Sequence, residues 1–475
     1  MGIKNFHQWL HEKFPMAFIQ IKNNNIYEYI YIDLNFILHN SIYSCRTESE
    51  FMNRIKNNLD IIFSNFIATK EIFIAIDGPS SFAKIMLQQK RRLNNTNKMD
   101  TTKINSLCIT PGISIMQRVE KYIEKYIFNL GKKYKFIKPK FSTSFSNEPN
   151  EGEIKICKKV IANGSKNLDH RHLIIGNDSD LIVLAMGMKP VYNINILIKG
   201  KEVNEIISLK NLLHAYCKFL NKDNTINELK NSCFRDDFIV LSIMMGNDYL
   251  PKVGYINYEK LWKCYKILIS KIDQTIINND TNFNIPVLSH FLLILYNSIS
   301  SGYQKVNIST YNPEQSNLYL EGILWCVNMY RTGICPKYDY IYETGNSPHP
   351  YELLFHVCSE KNNIKCIKTD FKPIPSYIYP LVVMPRKASY LLNKKQQDLM
   401  TNDLNYLYER EECIKCHNLK MKINKIRKQI LETEENNNLK EDFKTIEINY
   451  KNHIKTHGEF NIDDIHKIIF IFNKK

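Results

Sequence analysis

The chain has 475 residues, 44% of them hydrophobic and 24% charged. That composition excludes collagen-like, mucin-like and wholly disordered classes, and the length leaves ample chain to bury a core in one large domain or two to three smaller ones. Lys plus Arg number 64 against 48 Asp plus Glu, a formal charge of +16, which favours a polyanionic partner, nucleic acid ahead of an anionic membrane. No run of ~18 uncharged apolar residues is present, so neither a membrane-spanning helix nor a membrane partner is expected. Met1 to Trp9 lacks the apolar core and cleavage signature of a secretory signal, and Phe6 stands where a myristoylation motif wants Ser or Thr. The 12 cysteines are scattered through the chain and read as reduced thiols of an intracellular protein.

In chain order, Ile26–Asp33 is a β-rich run ending in an acid. Glu50–Ala68 has helical spacing, with Phe51, Ile55, Leu59, Ile62 and Phe66 on one face. Glu71–Asp77 is a second buried-strand pattern ending in an acid, and Gly78-Pro79 follows. Ser80–Leu93 reads as a basic helix and Asn94–Asn105 as a polar loop. Pro111-Gly112 opens a helix to about Leu130. Lys133–Lys140 reads as a strand and Glu151–Ala162 as a helix. His172–Asn177 is a third strand pattern, followed by Asp178. Asp236–Met245 is an apolar helix running into Gly246-Asn247-Asp248. Tyr255 to Leu392 is mainly helical, and Thr401–Glu434 has the look of a charged hairpin arm without sustained heptads.

Alternating strands and helices predict an α/β fold with a mostly parallel sheet flanked by helices and a mainly helical C-terminal extension. Ligands of such sheets bind outside the carboxyl ends of the strands, where Asp33, Asp77 and Asp178 fall. Five separated sites supply seven carboxylates: Asp33, Asp77, Glu151 with Glu153, Asp178 with Asp180, and Asp248. A set of hard oxygen donors of this size suits two adjacent Mg²⁺ ions, which activate a water and stabilise the leaving oxygen of an in-line phosphoryl displacement. The alternative for any one of them is a helix cap or a solvated first turn. Five such coincidences together are the weaker explanation.

Lys84, Gln88, Arg91 and Arg92 fall at i, i+4, i+7 and i+8, on one face of the basic helix. Two Arg forks, a Lys and an amide make a cradle for a terminal phosphate. Placed beside Asp77, such a cradle suggests recognition of a nucleic-acid end. A basic face touching backbone phosphates non-specifically is the alternative.

These residues together resemble the XRN family of 5′→3′ exoribonucleases. The resemblance runs in order through Met1-Gly2-Ile3, Asp33-Leu34-Asn35, Leu38-His39-Asn40, Ala75-Ile76-Asp77-Gly78 and Ala83-Lys84. It continues through Gln88-Gln89-Lys90-Arg91-Arg92, Ile109-Thr110-Pro111-Gly112, Glu151-Gly152-Glu153, Asp178-Ser179-Asp180-Leu181, Asp236-Asp237-Phe238 and Gly246-Asn247-Asp248-Tyr249-Leu250-Pro251. It spans about residues 1–255, with a weaker echo to about 390 around Trp325 and Arg331-Thr332-Gly333.

The resemblance implies a PIN/flap-nuclease-like sheet and a two-metal site. Asp33, Asp77, Glu151, Glu153, Asp178, Asp180 and Asp248 would hold two Mg²⁺ ions, with Mn²⁺ able to substitute. It also implies a 5′-monophosphate pocket at Lys84, Gln88, Arg91 and Arg92, with His39 stacking on the first base. The implied activity is processive hydrolysis of 5′-monophosphorylated single-stranded RNA to nucleoside 5′-monophosphates, in mRNA decay. The implied layout is a nuclease domain at 1–255, a helical region at 256–395 that completes the pocket, and a helical arm at 396–475 offering a protein-partner surface. A monomer is expected, in the cytoplasm rather than the nucleus.

The sequence departs from that family at Lys4, in place of Pro, and at Ile154-Lys155, in place of His-Lys. It also lacks the Trp that pairs with the stacking His; Tyr338 or Tyr340 would take its place. The length fits a reduced form such as a large DNA virus encodes. The rival readings are a flap endonuclease, which usually carries a Gly-rich hairpin after its last acid, and an inactive RNA-binding scaffold. Cys413-Ile414-Lys415-Cys416-His417 resembles half a zinc site; with no second Cys/His pair nearby, an exposed turn or helix face is the favoured reading. Trp9, Trp262 and Trp325 read as core anchors.

Overall fold

The computed structural model describes residues 3, 5–20, 25–96, 103–133, 138–199, 204–222, 232–300, 311–342, 346–359, 364–366, 369–408, 413–432, 437–456 and 460–474. Met1, Gly2, Lys4 and half of the loop expected at Asn94–Asn105 (97–102) lie outside the described residues, and Asn94–Thr96 instead continue the preceding helix.

Seven strands form one sheet: β1 (Phe18–Ile19), β2 (Asn25–Asp33), β3 (Phe66–Ala75), β4 (Lys140–Ser144), β5 (His172–Gly176), β6 (Ile194–Lys199) and β7 (Asn204–Ser208). Their spatial order is β1-β7-β6-β5-β2-β3-β4. The run β6-β5-β2-β3-β4 is parallel throughout. β7 pairs antiparallel with β6, and β1 with β7.

Helices of the N-terminal half are α1 (Phe6–Lys13), α2 (Leu34–Ile42), α3 (Glu48–Asn65), α4 (Phe82–Thr96), α5 (Ser114–Lys133), α6 (Gly152–Gly164), α7 (Asp180–Gly187) and α8 (Leu209–Phe219). After them come α9 (Phe234–Met244), α10 (Tyr258–Lys271), α11 (Ile285–Ser300), α12 (Pro313–Thr332), α13 (Pro350–Ser359), α14 (Tyr379–Val383), α15 (Lys394–Thr401) and α16 (Asn405–Tyr408). The chain ends in α17 (Ile414–Glu432), α18 (Asn437–Thr456) and α19 (Ile462–Lys474).

The expected α/β class with a mostly parallel sheet and a mainly helical C-terminal region is what the chain adopts. Parallel strands covered on both faces need apolar side chains on both, and β2 supplies them. Tyr29 and Tyr31 enter a core with α6, α7, α9 and α12, while Ile30 and Ile32 enter the opposite core with α2, α3 and α5. A register shift between Tyr27 and Tyr29 resets this alternation, so Tyr27 joins Ile30 and Ile32 in the second core. Residues 374–408, with Phe460, Ile465 and Ile468, also pack into that second core. The C-terminal segments therefore cover one face of the N-terminal sheet.

Several expectations shift at their edges. The helix expected to reach Ala68 ends at Asn65, and Phe66 starts β3, still buried. The strand expected at Lys133–Lys140 is instead β4, beginning at Lys140, with 134–137 outside the described residues. The arm expected at Thr401–Glu434 is interrupted: α15 ends at Thr401, Leu404 is buried in the second core, and the long helix starts only at Ile414. Trp262 and Trp325 are buried to 1% exposure, and Trp9 stacks on Trp262 at 5.0 Å, so all three are core anchors as expected.

His172 of β5 is fully buried. Tyr31 Oη accepts from Asn163 Nδ2 at 3.3 Å and so donates to His172 Nδ1 at 3.0 Å. Burial, and to a lesser degree His170, pushes His172 down to about 4. The depressed folded value means that His172 favours the native state above pH ~6.5 and that this contribution is lost as pH falls toward 4. Between pH 7 and 5 the wild-type protein is expected to lose about 2 kcal/mol more stability than His172→Asn, measured by urea unfolding. Parallel pH dependence of the two proteins would refute this.

Candidate active site

The acids sit where chain direction puts them. Asp33 is the last residue of β2 and caps α2, its Oδ1 accepting from Asn35 N at 3.1 Å. Asp77 lies two residues past β3, and its Oδ1 accepts from Gly152 N at 2.7 Å. Asp178 lies two residues past β5, its Oδ1 taking Asp180 N at 3.4 Å, and Asp180 opens α7. Capping and convergence thus coexist in the same side chains.

Glycine makes the convergence possible at two points. A Cβ on Gly78 would lie 1.6 Å from the Glu148 carbonyl oxygen, so only glycine lets the 146–150 loop cross behind Asp77. That loop leads directly into Glu151. A Cβ on Gly152 would lie 2.9 Å from Asp33 Oδ1 and 3.4 Å from Asp77 Oδ1, so the glycine between the two glutamates admits the other two acids.

One cavity of about 330 Å³ is lined by all seven acids and by Lys84, Gln88, Arg91, Arg92 and His39. The seven acids, the four residues of the basic helix and His39 are therefore in one place. Burial and the neighbouring Asp77 push Asp33 well above the carboxylate range. Burial, followed by Asp178 and Asp33, does the same to Glu153. Asp180 rises to about 7 through burial and the nearby Asp178 and Asp248, against the pull of the Ile3 backbone N–H at 3.0 Å. The protein's own cations therefore do not neutralise this part of the cluster.

The other end of the cavity is compensated. Lys84 Nζ donates to Asp248 at 2.8 Å and pairs with Glu151; Arg91 donates to Asp248 at 3.0 Å. Although burial pushes Asp248 up, these two cations outweigh it and hold the carboxyl below its usual range. Gln88 Oε1 accepts from Tyr379 Oη at 3.0 Å. Arg92 binds Thr110 Oγ1, lies 3.3 Å from Met384 Sδ, and is lowered to about 10 by burial. His39 stands at the exposed rim on α2; the surrounding protein and Arg92 lower its pKa and so favour the neutral ring.

Sequence reasoning did not assign roles to Asn35 and Tyr249. Asn35 Oδ1 accepts from Asp77 N at 3.1 Å, tying the ends of β2 and β3 together. Tyr249 Oη donates to Glu151 Oε1 at 2.6 Å. Both lie inside motifs that carry the resemblance, beside an acid, and that adjacency was the available signal. Lys155, next to the departure at Ile154, is buried and donates to Ile76 O at 2.7 Å and Phe145 O at 2.8 Å.

The expected aromatic replacement is overturned. Tyr340 is 2% exposed, stacks on Trp325 at 5.0 Å and donates to Leu318 O. Tyr338 donates to Asn150 Oδ1 at 2.7 Å, and neither tyrosine lines the cavity. The aromatic side chains that do are Phe36, His39, Tyr249 and Tyr330.

Residues 1–199 match the model of the XRN 5'-3' exonuclease N-terminus. Over this region the chain is similar to the XRN family. The chain is 24% identical over 374 residues to 5'-3' exoribonuclease 1 of Homo sapiens, covering 67% of this chain and 22% of that protein. It is 25% identical over 375 residues to 5'-3' exoribonuclease 1 of Saccharomyces cerevisiae, covering 68% and 24%. The chain thus spans about a quarter of the length of those relatives. Among solved structures, the catalytic core of Rad2 in complex with a DNA substrate aligns with 78% of this chain and 98% of its own, at a TM-score of 0.36 and 14% identity. The T5 D15 protein co-crystallised with metal ions aligns with 66% and 98%, at a TM-score of 0.30 and 13% identity. No described helix is long and apolar enough to cross a membrane.

Proposed function

We propose that this chain is a 5′→3′ exoribonuclease that removes nucleoside 5′-monophosphates stepwise from 5′-monophosphorylated single-stranded RNA. The observation that carries this reading is the shared cavity, in which seven carboxylates face a Lys, a Gln and two Arg. Asp33, Asp77, Glu151, Glu153, Asp178, Asp180 and Asp248 would hold two Mg²⁺ ions, and Mn²⁺ would substitute. The donor set fits hard divalent cations: it is all oxygen, and Asp33 and Glu153 are destabilised as carboxylates without further positive charge. When bound, such ions supply an activated water and stabilisation of the leaving oxygen.

The protein's own groups fix what enters. Lys84 and Arg91, now engaged by Asp248 and Glu151, are the donors for which a terminal phosphate competes. Gln88 and Arg92, held from behind by Tyr379, Thr110 and Met384, give that pocket its rigid wall. A neutral His39 at the rim offers a face for the first base, and Phe36 lies one helical turn away. The cavity of about 330 Å³ takes a single nucleotide and refuses a duplex or a capped end. In the same reading the chain acts as a monomer in cytoplasmic mRNA decay, with three regions at 1–255, 256–395 and 396–475. The last of these offers a surface to a protein partner.

Digestion of matched 5′-phosphate and 5′-hydroxyl RNAs, with and without Mg²⁺, tests the proposal. Mononucleotides should accumulate from the phosphorylated RNA only with Mg²⁺. Arg91→Ala should shrink the preference for phosphate over hydroxyl ends by about tenfold or more, the value of one charge-assisted hydrogen bond pair. Equal degradation of both ends by the wild-type protein would remove the pocket assignment. Cleavage of flap DNA with single-stranded RNA left intact would replace the reading with a flap endonuclease.

A further inference from the structure

The C-terminal arm carries a second cluster of ligating side chains, remote in sequence from the acidic cavity. Cys413 and Cys416 stand at the start of α17, and His453 near the end of α18. The two helices pack as an antiparallel hairpin, so both ends meet at its base. Cys413 Sγ lies 3.2 Å from His453 Nε2, and the donor atoms of all three residues lie within 4.8 Å of one another. A tetrahedral zinc site has Zn–S of about 2.3 Å and Zn–N of about 2.0–2.1 Å, which sets sulfur–sulfur and sulfur–nitrogen edges near 3.8 and 3.5 Å. The 3.2 Å contact is close to the sulfur–nitrogen edge, and a spread within 4.8 Å leaves room for both edges.

The histidine is already oriented for the role. Thr456 Oγ1 donates its single proton to the His453 carbonyl at 2.6 Å. Toward His453 Nδ1, 3.5 Å away, it can therefore only accept. A ring proton on Nδ1 would serve that contact and leave the Nε2 lone pair facing the sulfur of Cys413. This is the orienting contact that metal-bound histidines receive from their surroundings. Several apolar side chains of the hairpin are left exposed. On α17 Ile423 is buried, but Ile414 and Met421 are 76% and 58% exposed, and Ile448 of α18 is 57% exposed. With these described apolar side chains so exposed, a metal clip would add to what holds the two helices together.

We propose that Cys413, Cys416 and His453 bind one Zn²⁺ that closes the base of the α17–α18 hairpin. Two thiolates and an imidazole select a soft or borderline cation over Mg²⁺, and a solvent molecule takes the remaining corner of the tetrahedron. On binding, each thiol releases its proton to solvent and forms a Zn–S bond, with no change of oxidation state. The clip fixes the arm against the nuclease body, where Lys420 Nζ of α17 donates to Asn94 Oδ1 of α4 at 3.1 Å. The sequence alone separates Cys413 from His453 by 40 residues, which is why the Cys-x2-Cys pair reads as half a site.

The test is metal analysis of the full-length protein, purified under reducing conditions and dialysed into Mg²⁺ buffer, followed by replacement of zinc with Co²⁺. One zinc per chain is expected, and the cobalt form should show a thiolate-to-cobalt charge-transfer band. Carboxylates cannot give that band, so the acidic cavity does not confuse the result. The Cys413→Ser/Cys416→Ser variant should lose both the zinc and the band. His453→Gln, on the other helix, should weaken zinc retention against a competing chelator, with the fold checked by circular dichroism. Absence of the band in the reduced wild-type protein, or its persistence in the double variant, overturns the proposal. These readouts do not depend on whether the chain degrades RNA.

Discussion

Asp178→Ala is expected to reduce turnover on 5′-phosphorylated RNA by on the order of 10³-fold or more, with RNA binding nearly unchanged. Asp178 lies past the end of β5, inside the cavity, and its charge raises the pKa of Asp33, Glu153 and Asp180. Removing it deletes one of the proposed ligands and also relieves repulsion among the acids that remain. The metal-free variant should therefore melt no lower than the metal-free wild type, while Mg²⁺ should raise the wild-type melting temperature more than that of the variant, through ligand linkage. A variant that loses activity because it unfolds would show the opposite pattern. Near-normal single-turnover rates with Asp178→Ala would remove it from the ligand set.

Gly78→Ala should cost several kcal/mol, about 3–5, at the upper end of single-substitution effects. The new methyl would lie 1.6 Å from the Glu148 carbonyl oxygen and 3.3 Å from that of Ser146. The crossing is pinned on both sides, since Gly78 N donates to Asn150 O at 2.9 Å and Asn150 N to Pro79 O at 2.9 Å. Neither strand of this crossing can retreat without breaking these bonds and moving Glu151, so activity should fall together with the denaturation midpoint. An unchanged midpoint would mean that the loop gives way freely and that Glu151 does not depend on it.

The acids were legible because chemistry and chain direction coincide: parallel strands all end on one side, and strands that end in Asp therefore deliver their carboxylates together. The basic face was legible for a different reason, since i, i+4, i+7 and i+8 is a geometric identity on any helix. What the sequence hid was non-local. β1 is two residues long, and β1, β6 and β7 pair antiparallel at one edge of the sheet, a choice that no local pattern in 18–19 or 194–208 dictates. Tyr340 was misassigned because spacing does not say which way a side chain turns; Trp325 and the Leu318 carbonyl claim it for the core. Asn35 and Tyr249 act on neighbours of the acids rather than on a substrate, and such support is visible only once the strand ends are brought together.

The wall behind α4 has a temporal consequence. Gln88, Gln89 and Arg92 are braced by Tyr379, Val382 and Met384, nearly 300 positions later in the chain. A ribosome that has finished the stretch resembling the nuclease has not yet supplied the residues that stiffen the phosphate-facing helix. The growing polypeptide thus carries its acids early, and the wall behind α4 is completed only when synthesis passes the α14 segment. The brace on α4 is thus contributed by a segment far downstream of the acids that α4 faces across the cavity.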